Sequence, residues 1–331
     1  MGHAVHADFM QVVPKRYLMI WFLSLFTREY EQRQALLIIF LASSFWGVLW
    51  VPMRHIEAMG LSGLWVVVLF HFLPALAMLP LIVKTAPSSR RDWRRAAVAG
   101  ALMGAGFVLY ALGLIVASVT KTVILFYMTP IWSTVIAYFV LRERAGWGRW
   151  LAIAAALVGC GLVTGFSRDE LRLDPADLLG LLSGLFWALG SVMIRRYEGL
   201  SFLNISFLQY LFGGIMALIA ALYLGDPLPQ LNALLQAIPP AFLASAVVFL
   251  PSALLIFRIM QYVSPGLVGI LMLSEALVAA VSAAFWLGET LSSTQWIGVG
   301  AILATGVFIG FYEGKAVKPT KPVQRRKRRA A

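Results

Sequence analysis

The stretch ILFYMTPIWSTVIAYFVLRERAGWGRWLAIAAALVGCGLV fills residues 124–163, and ILMLSEALVAAVSAAFWLGETLSSTQWIGVGAILATGVFI fills residues 270–309. Laid side by side without a gap, they share Ile124/Ile270, Leu125/Leu271, Val135/Val281, Ala137/Ala283, Phe139/Phe285, Leu141/Leu287, Glu143/Glu289, Trp150/Trp296, Ala155/Ala301 and Leu157/Leu303, with Ser118/Ser264 just upstream. Alanine and leucine coincide easily in apolar helices, so the rarer Trp and Glu pairs carry the weight. A second echo, at a slightly different offset, sets Phe45, Trp46 and Arg54 of FWGVLWVPMR (45–54) on Phe186, Trp187 and Arg195 of FWALGSVMIR (186–195). The chain is written twice, and self-similarity of this kind constrains the fold before any single residue does.

What is repeated is apolar. Of 331 residues, 60% are hydrophobic and only 13% charged, with a mean hydropathy of +0.83. A soluble domain carries about a quarter charged residues, so the composition is that of a polytopic membrane protein. Runs of about 20 apolar residues predict ten spans, at 35–53, 63–83, 96–116, 119–141, 149–167, 177–194, 203–224, 238–260, 264–287 and 295–313. The shorter run YLMIWFLSLF (17–26) follows Lys15 and Arg16 and lacks a small-residue cleavage site. It reads as an interfacial helix, with a signal anchor as the alternative. One cysteine, Cys160, allows no intramolecular disulfide.

The net charge of +12 does not point to nucleic acid, because the basic residues lie in short loops and a tail. With the N-terminus in the cytoplasm, 23 of the 27 Lys and Arg fall on the inner side. The outer side receives Arg54, Lys121, Arg168 and Arg172. This bias predicts both termini cytoplasmic and an even number of spans. The division is then an N-terminal cytoplasmic segment (1–34), a first repeat (35–167), a second repeat (177–313) and a basic tail (314–331) that meets anionic lipid. Five spans per copy is odd, so the second copy enters the membrane from the opposite face. The predicted fold is all-α, with ten transmembrane helices in two inverted five-helix repeats. Inverted repeats mark secondary transporters, whose site lies between the copies near mid-bilayer.

At 124–163 and 270–309 the chain resembles the paired signatures of EamA-type carriers in the drug/metabolite transporter superfamily. Each stretch has a long helix, then Leu-x-Glu, a short loop and a small-residue-rich last helix, while YALGLIVASVTKTVILF (110–126) resembles the junction of helices three and four in that family. The resemblance covers about 35–313 and implies ten helices in two EamA repeats and export of small metabolites. Minimal loops and no evident organellar signal point to a bacterial inner membrane. Two departures stand out. Pro130 is answered by Ala276 in the second copy, and the second span reads HFLPA, with His71, where such proteins often carry an arginine.

Charged groups at mid-bilayer cost several kcal/mol unless paired or hydrated, so Glu275 and His71, both near mid-span, are the leading candidates for a site. They would bind a zwitterion or relay a proton, and the expected solutes are amino acids or related or drug-like compounds. The competing reading has His71 neutral and bonded to a neighbouring helix, and Glu275 protonated or capping a broken helix. Aligning HFLPALAM (71–78) with QYLFGGIM (209–216) sets His71 opposite Gln209. Trp46, Trp187, Tyr110 and Tyr127 are the aromatic candidates for the cavity wall, and Asn204 a further polar one, against tight packing or an interfacial belt for the tryptophans and plain interhelical hydrogen bonds for the others.

Pro130 and Pro251 predict helix kinks. Glu143 and Glu289 read as structural caps for the helix that follows each. Lys121 reads as a side chain snorkelling to headgroups. Glycine pairs 100/104, 161/165 and 306/310 read as packing faces, with a homodimer through spans five and ten as the sharper alternative. The acidic stretch RDELRLDPAD (168–177) reads as a helix cap, not a metal-bound diphosphate site, since no second acidic cluster exists. No Walker loop, HExxH or GxSxG is present, so neither ATP-driven transport nor enzyme chemistry is expected, and no cofactor or metal. The expected partners are a small-molecule substrate, protons as a coupling ion, and membrane lipid. A lipid flippase, or a membrane enzyme on lipid-linked substrates, stays open as the alternative.

Overall fold

The structure is a computed structural model that describes Phe26 and residues 30–85, 89–166, 174–197, 199–288 and 290–314. Glu289, the loop 168–173, the basic tail from 315, and all but Phe26 of the apolar run 17–26 lie outside the described residues. Ten helices among the described residues are long and apolar enough to cross a membrane. They are span 1 (Gln32–Glu57), span 2 (Gly63–Thr85), span 3 (Arg90–Val116), span 4 (Val119–Leu141), span 5 (Trp147–Thr164), span 6 (Pro175–Arg196), span 7 (Phe202–Tyr223), span 8 (Leu231–Met260), span 9 (Pro265–Trp286) and span 10 (Ser293–Glu313). Each falls where the hydrophobic runs predict it. The largest difference is in span 8, which begins at Leu231 rather than 238.

Local chemistry fixes the ends. Span 3 starts on Ser89, whose hydroxyl accepts from the Asp92 amide at 3.1 Å. Span 10 starts on a capping box in which Ser292 and Gln295 exchange bonds of 3.2 and 2.9 Å. Spans 4 and 9 both stop on a left-handed residue, Arg142 with φ 58 and Gly288 with φ 70.

Four spans are interrupted. Span 1 turns at Gly47–Leu49 between helices Gln32–Trp46 and Trp50–Glu57. Span 4 turns at Tyr127 and Met128, and span 9 at Leu273. Tyr127 and Leu273 correspond at the offset that carries Ile124 to Ile270, so the two copies break at the same place. Pro130 sits in the first turn after the break in span 4. Its counterpart Ala276 sits in the same place in span 9, so a break here does not require proline. Span 8 passes from Leu231–Phe242 through a π-helical stretch, Leu243–Phe249, to Leu250–Met260, with Pro251 in the first turn beyond it. Span 2 stays one helix although it contains Pro74 and Pro80.

Contacts between the copies give the helix directions. Spans 2 and 7 are antiparallel, since Asn204 Nδ2 donates to the Thr85 carbonyl at 2.7 Å at one end and the Ser62 hydroxyl donates to Asp226 at the other. Spans 5 and 10 are antiparallel too. Arg149 Nη2 meets Glu313 Oε1 at 3.0 Å, and at the opposite end Gln295 Nε2 donates to the Val163 carbonyl at 3.2 Å. In spans 4 and 9, Gly266 faces Thr134 while Gly269 faces Pro130, again antiparallel. Span 1 runs in the same sense as span 9, with Ser274 donating to the Phe40 carbonyl and Trp50 to Ser282. Span 6 runs with span 4, Gly180 lying against Thr122 and Gly184 against Phe126. Spans 1 and 6 therefore oppose one another. Every counterpart pair fixed by these contacts runs head to tail, which fits two inverted copies.

Small residues allow the close approaches, as in other membrane bundles. Gly104 lies on Gly213, and Gly159 on Gly298. Of the glycines expected as packing faces, Gly306 meets Phe40, while nothing comes within 4 Å of a side chain built at Gly310. Large apolar side chains such as Phe139 and Phe285 point outward, as helices in lipid require.

Candidate functional site

Span 1 crosses span 9 at Gly47. A Cβ added there would lie 2.5 Å from the Glu275 carbonyl oxygen and 2.7 Å from the Ala279 amide nitrogen. This crossing brings the break in span 1 beside the break in span 9. Glu275 lies in the first turn of the helix Ser274–Leu287 that resumes after that break, where the free amides and the dipole of a half-helix favour a carboxylate. The Tyr127 hydroxyl, from the matching break in span 4, hydrogen-bonds the Glu275 side chain.

Glu275 borders a cavity of about 230 Å³. Trp46, Trp50, Phe70, Phe107, Tyr110, Tyr210 and Phe249 form its aromatic walls, and His71, Gln209 and Ser245 its other polar groups. It extends from Glu275 toward Met53 and Leu114, away from the end of the bundle where Arg33 meets Gly314. A pouch of about 30 Å³ adjoins it, sharing Trp46, Phe107, Tyr110 and Glu275 and adding Ser43, Phe126 and Trp187.

The two echoed tryptophans meet one ring. Phe107 lies 5.4 Å from Trp46 and 4.8 Å from Trp187, centroid to centroid. Phe249 lies 6.1 Å from Trp46, so a phenylalanine of the opposite copy packs on each. Trp187 is 3% exposed and Trp46 donates to the Ser252 hydroxyl at 2.9 Å, which removes the interfacial-belt reading for both.

His71 Nδ1 lies 2.8 Å from the Val67 carbonyl, an acceptor only, so Nδ1 carries the proton. Nε2 is then a bare acceptor, buried without a partner. Both amide atoms of Gln209 are likewise buried and unpartnered, although Gln209 as a whole is 1% exposed. Unsatisfied groups of this kind cost about 1–3 kcal/mol each, and in a native bundle they call for an explanation.

Six of the seven residues expected at the cavity line it or its pouch; the seventh, Tyr127, stands behind Glu275. Asn204 does not join them, since it ties span 7 to the end of span 2. Sequence reasoning missed Trp50, Phe107, Tyr210 and Phe249. The signal for Trp50 and Tyr210 was present, inside FWGVLWVPMR and QYLFGGIM.

Among the described residues no Lys or Arg lines either void. Lys121 does not snorkel. It is 9% exposed, and its Nζ lies 3.1 Å from Asp177 Oδ2 and 3.5 Å from Asp174 Oδ2. The reason is that span 6 begins against span 4 and supplies two carboxylates within reach. Glu143 Oε1 lies 3.5 Å from Arg195 Nε, a partner from the other copy, and span 5 starts on Gly146, which has no side chain to cap it. Among the described residues no cluster of His, Cys, Asp or Glu is built to hold a metal.

The EamA-like transporter family model matches residues 33–165 and again 174–311. The chain belongs to the EamA-like transporter family. The two EamA matches coincide with the two five-span copies, and the cavity lies between them. Among curated relatives, an uncharacterised transporter, YoaV, of Bacillus subtilis is 23% identical over 53% of this chain and 62% of its own length. An uncharacterised inner membrane transporter, YedA, of Escherichia coli is 28% identical over 53% of this chain and 56% of its own. An S-adenosylmethionine uptake transporter of Rickettsia prowazekii is 23% identical over 38% and 43%. The matched stretch thus spans little more than half the length of the first two relatives. A solved crystal structure superposes with a TM-score of 0.66 at 16% identity, covering 83% of this chain and 95% of that one, which supports the fold alone.

Proposed function

We propose that this EamA protein is a secondary transporter, not an enzyme, that exports a small metabolite across the bacterial inner membrane by alternating access. The observation that carries the reading is the cavity between the two copies, bordered by Glu275, His71 and Gln209, with His71 Nε2 and the Gln209 amide left without a partner among the described residues. Buried polar groups in a membrane bundle are retained for function by default, and a site flanked by broken helices between inverted repeats is how secondary transporters are built.

Taking the termini as cytoplasmic from the charge bias, the cavity leads toward the outer face. The inner end is held shut by Arg149 on Glu313 and by Arg195 on Glu143. Rocking that breaks these contacts would open the inner side. Glu275 and His71 are the proposed proton carriers, and the solute's own gradient is the other source of drive.

The test is flux in proteoliposomes, with the solute chosen by a thermal-shift screen of amino acids, nucleosides and amphiphilic amines. Protein-dependent flux that responds to a pH gradient is expected. Flux indifferent both to the gradient and to Glu275→Gln removes the proton role, and no protein-dependent flux removes the carrier.

One observation favours a second reading, lipid flipping. A groove of about 300 Å³ between spans 1, 9 and 10 is lined by apolar side chains including Leu36, Phe40, Leu303 and Phe311, with Arg33 at its mouth. A fluorescent phospholipid that changes leaflet only in the presence of the protein would replace solute transport with this reading.

A further inference from the structure

The lining of the central cavity is one-sided in its chemistry. The cavity is lined by one carboxylate, Glu275; by His71 and Gln209, with His71 Nε2 and the Gln209 amide buried without a partner among the described residues; and by seven aromatic side chains. Among the described residues no lysine and no arginine lines it. The basic residues closest in sequence to the lining lie outside it: Arg54, next to Met53, lies over the Trp50 ring 5.9 Å from its centroid, and Arg258, next to Phe257, lies over Phe202. Lys121 is bound to Asp177, and Arg195 to Glu143. A ligand carboxylate, sulfonate or phosphate entering this space would meet Glu275 with no counter-cation in the lining and only neutral donors, such as the Gln209 amide and the Tyr110 and Tyr210 hydroxyls. Unpaired, it would carry the desolvation penalty of a buried charge. An ammonium meets the opposite conditions. It finds a carboxylate, an acceptor for its N–H groups, and the negative faces of aromatic rings, which attract a cation most strongly where water is excluded.

The shape adds to the charge. Trp46, Phe107 and Tyr110 border both the cavity and the pouch, and Glu275 lies at their junction. A flat apolar group can lie against the rings of the larger void while its cationic end sits at the junction.

From this we infer that the cavity takes a monovalent aryl-alkyl ammonium, an aromatic body on a short chain ending in a primary amine, with its cation on Glu275 and its ring among Trp46, Phe107 and Tyr210. Amino acids, which carry the same ammonium beside a carboxylate, are excluded because nothing in the lining balances that second charge. The inference deepens the transporter reading, since it names a ligand class for the same cavity, but binding alone tests it.

The experiment is calorimetry on the purified, detergent-solubilised full chain with three probes that share one ring: phenethylammonium, L-phenylalanine and 3-phenylpropionate. Phenethylammonium is expected to bind at least tenfold more tightly than either of the others. Glu275→Gln is expected to weaken it at least tenfold while the melting temperature of the ligand-free protein is kept. Equal or tighter binding of phenylalanine or phenylpropionate overturns the inference, as does full affinity in a folded Glu275→Gln protein. The comparison among probes needs no variant, so a misfolded mutant leaves the test intact. If phenethylammonium binds as expected but is not carried in proteoliposomes, the ligand class stands and the transporter reading fails.

Discussion

Arg142 and Gly288 end spans 4 and 9 at corresponding positions in the same left-handed conformation, with φ of 58 and 70. One copy uses glycine, which adopts it freely; the other forces an exposed arginine into it, at a cost of about 1–2 kcal/mol. Arg142→Gly is therefore expected to stabilise the fold by about 1 kcal/mol, read as a higher melting temperature. Gly288→Ala is expected to lower it. An unchanged or lower melting temperature for Arg142→Gly would show that the arginine side chain contributes more than its backbone costs.

Lys121 and Asp177 link the start of span 4 to the start of span 6, and Asp177 also accepts the Asp174 amide at 2.8 Å. Removing the Asp177 charge leaves the buried Lys121 ammonium with only the exposed Asp174, 3.5 Å away. Asp177→Asn should lower the melting temperature more than the paired change Lys121→Met with Asp177→Asn, which leaves only Asp174, a charge that water solvates. If the single change is the milder of the two, the pair contributes nothing to holding these spans together.

Gln209→Leu separates packing from recognition. The amide has no partner among the described residues, so an apolar side chain of similar volume should leave stability unchanged or raise it by about 1 kcal/mol. Solute transport should fall at the same time. A loss of stability with transport kept would give Gln209 a structural duty instead.

Sidedness is open to labelling in a Cys160→Ala background. Ser89→Cys lies in the turn before span 3, and Gln230→Cys in the turn before span 8. In intact cells a membrane-impermeant maleimide should reach only residue 230. Reaction at both positions would break the inverted arrangement.

Much of this was legible in the chain, because lipid forces the backbone of each crossing segment into a helix. The spans follow from hydropathy alone. The second copy follows from rare residues such as Trp150/Trp296, and the head-to-tail pairing of spans 5 and 10 agrees with it. Side-chain partnerships were less legible. Lys121 looked like a headgroup anchor because Asp177 lies far along the chain and is brought to it only when span 6 docks. Glu143 looked like a local cap for the same reason, its partner Arg195 being in the other copy. Proline marked some interruptions but not all: Pro130 and Pro251 each lie in the first turn after one, whereas span 9 turns at Leu273 without a proline and span 2 stays one helix with two.

The π-helical stretch Leu243–Phe249 has a consequence of its own. A helix wound in this wider way holds surplus chain in each turn. Retightening the stretch to ordinary pitch would swivel everything after it, carrying Ser252 away from the Trp46 indole it now accepts from and turning Phe249 out of the cavity wall. Span 8 thus holds slack that a rotation about its own axis can take up, without any loop having to lengthen.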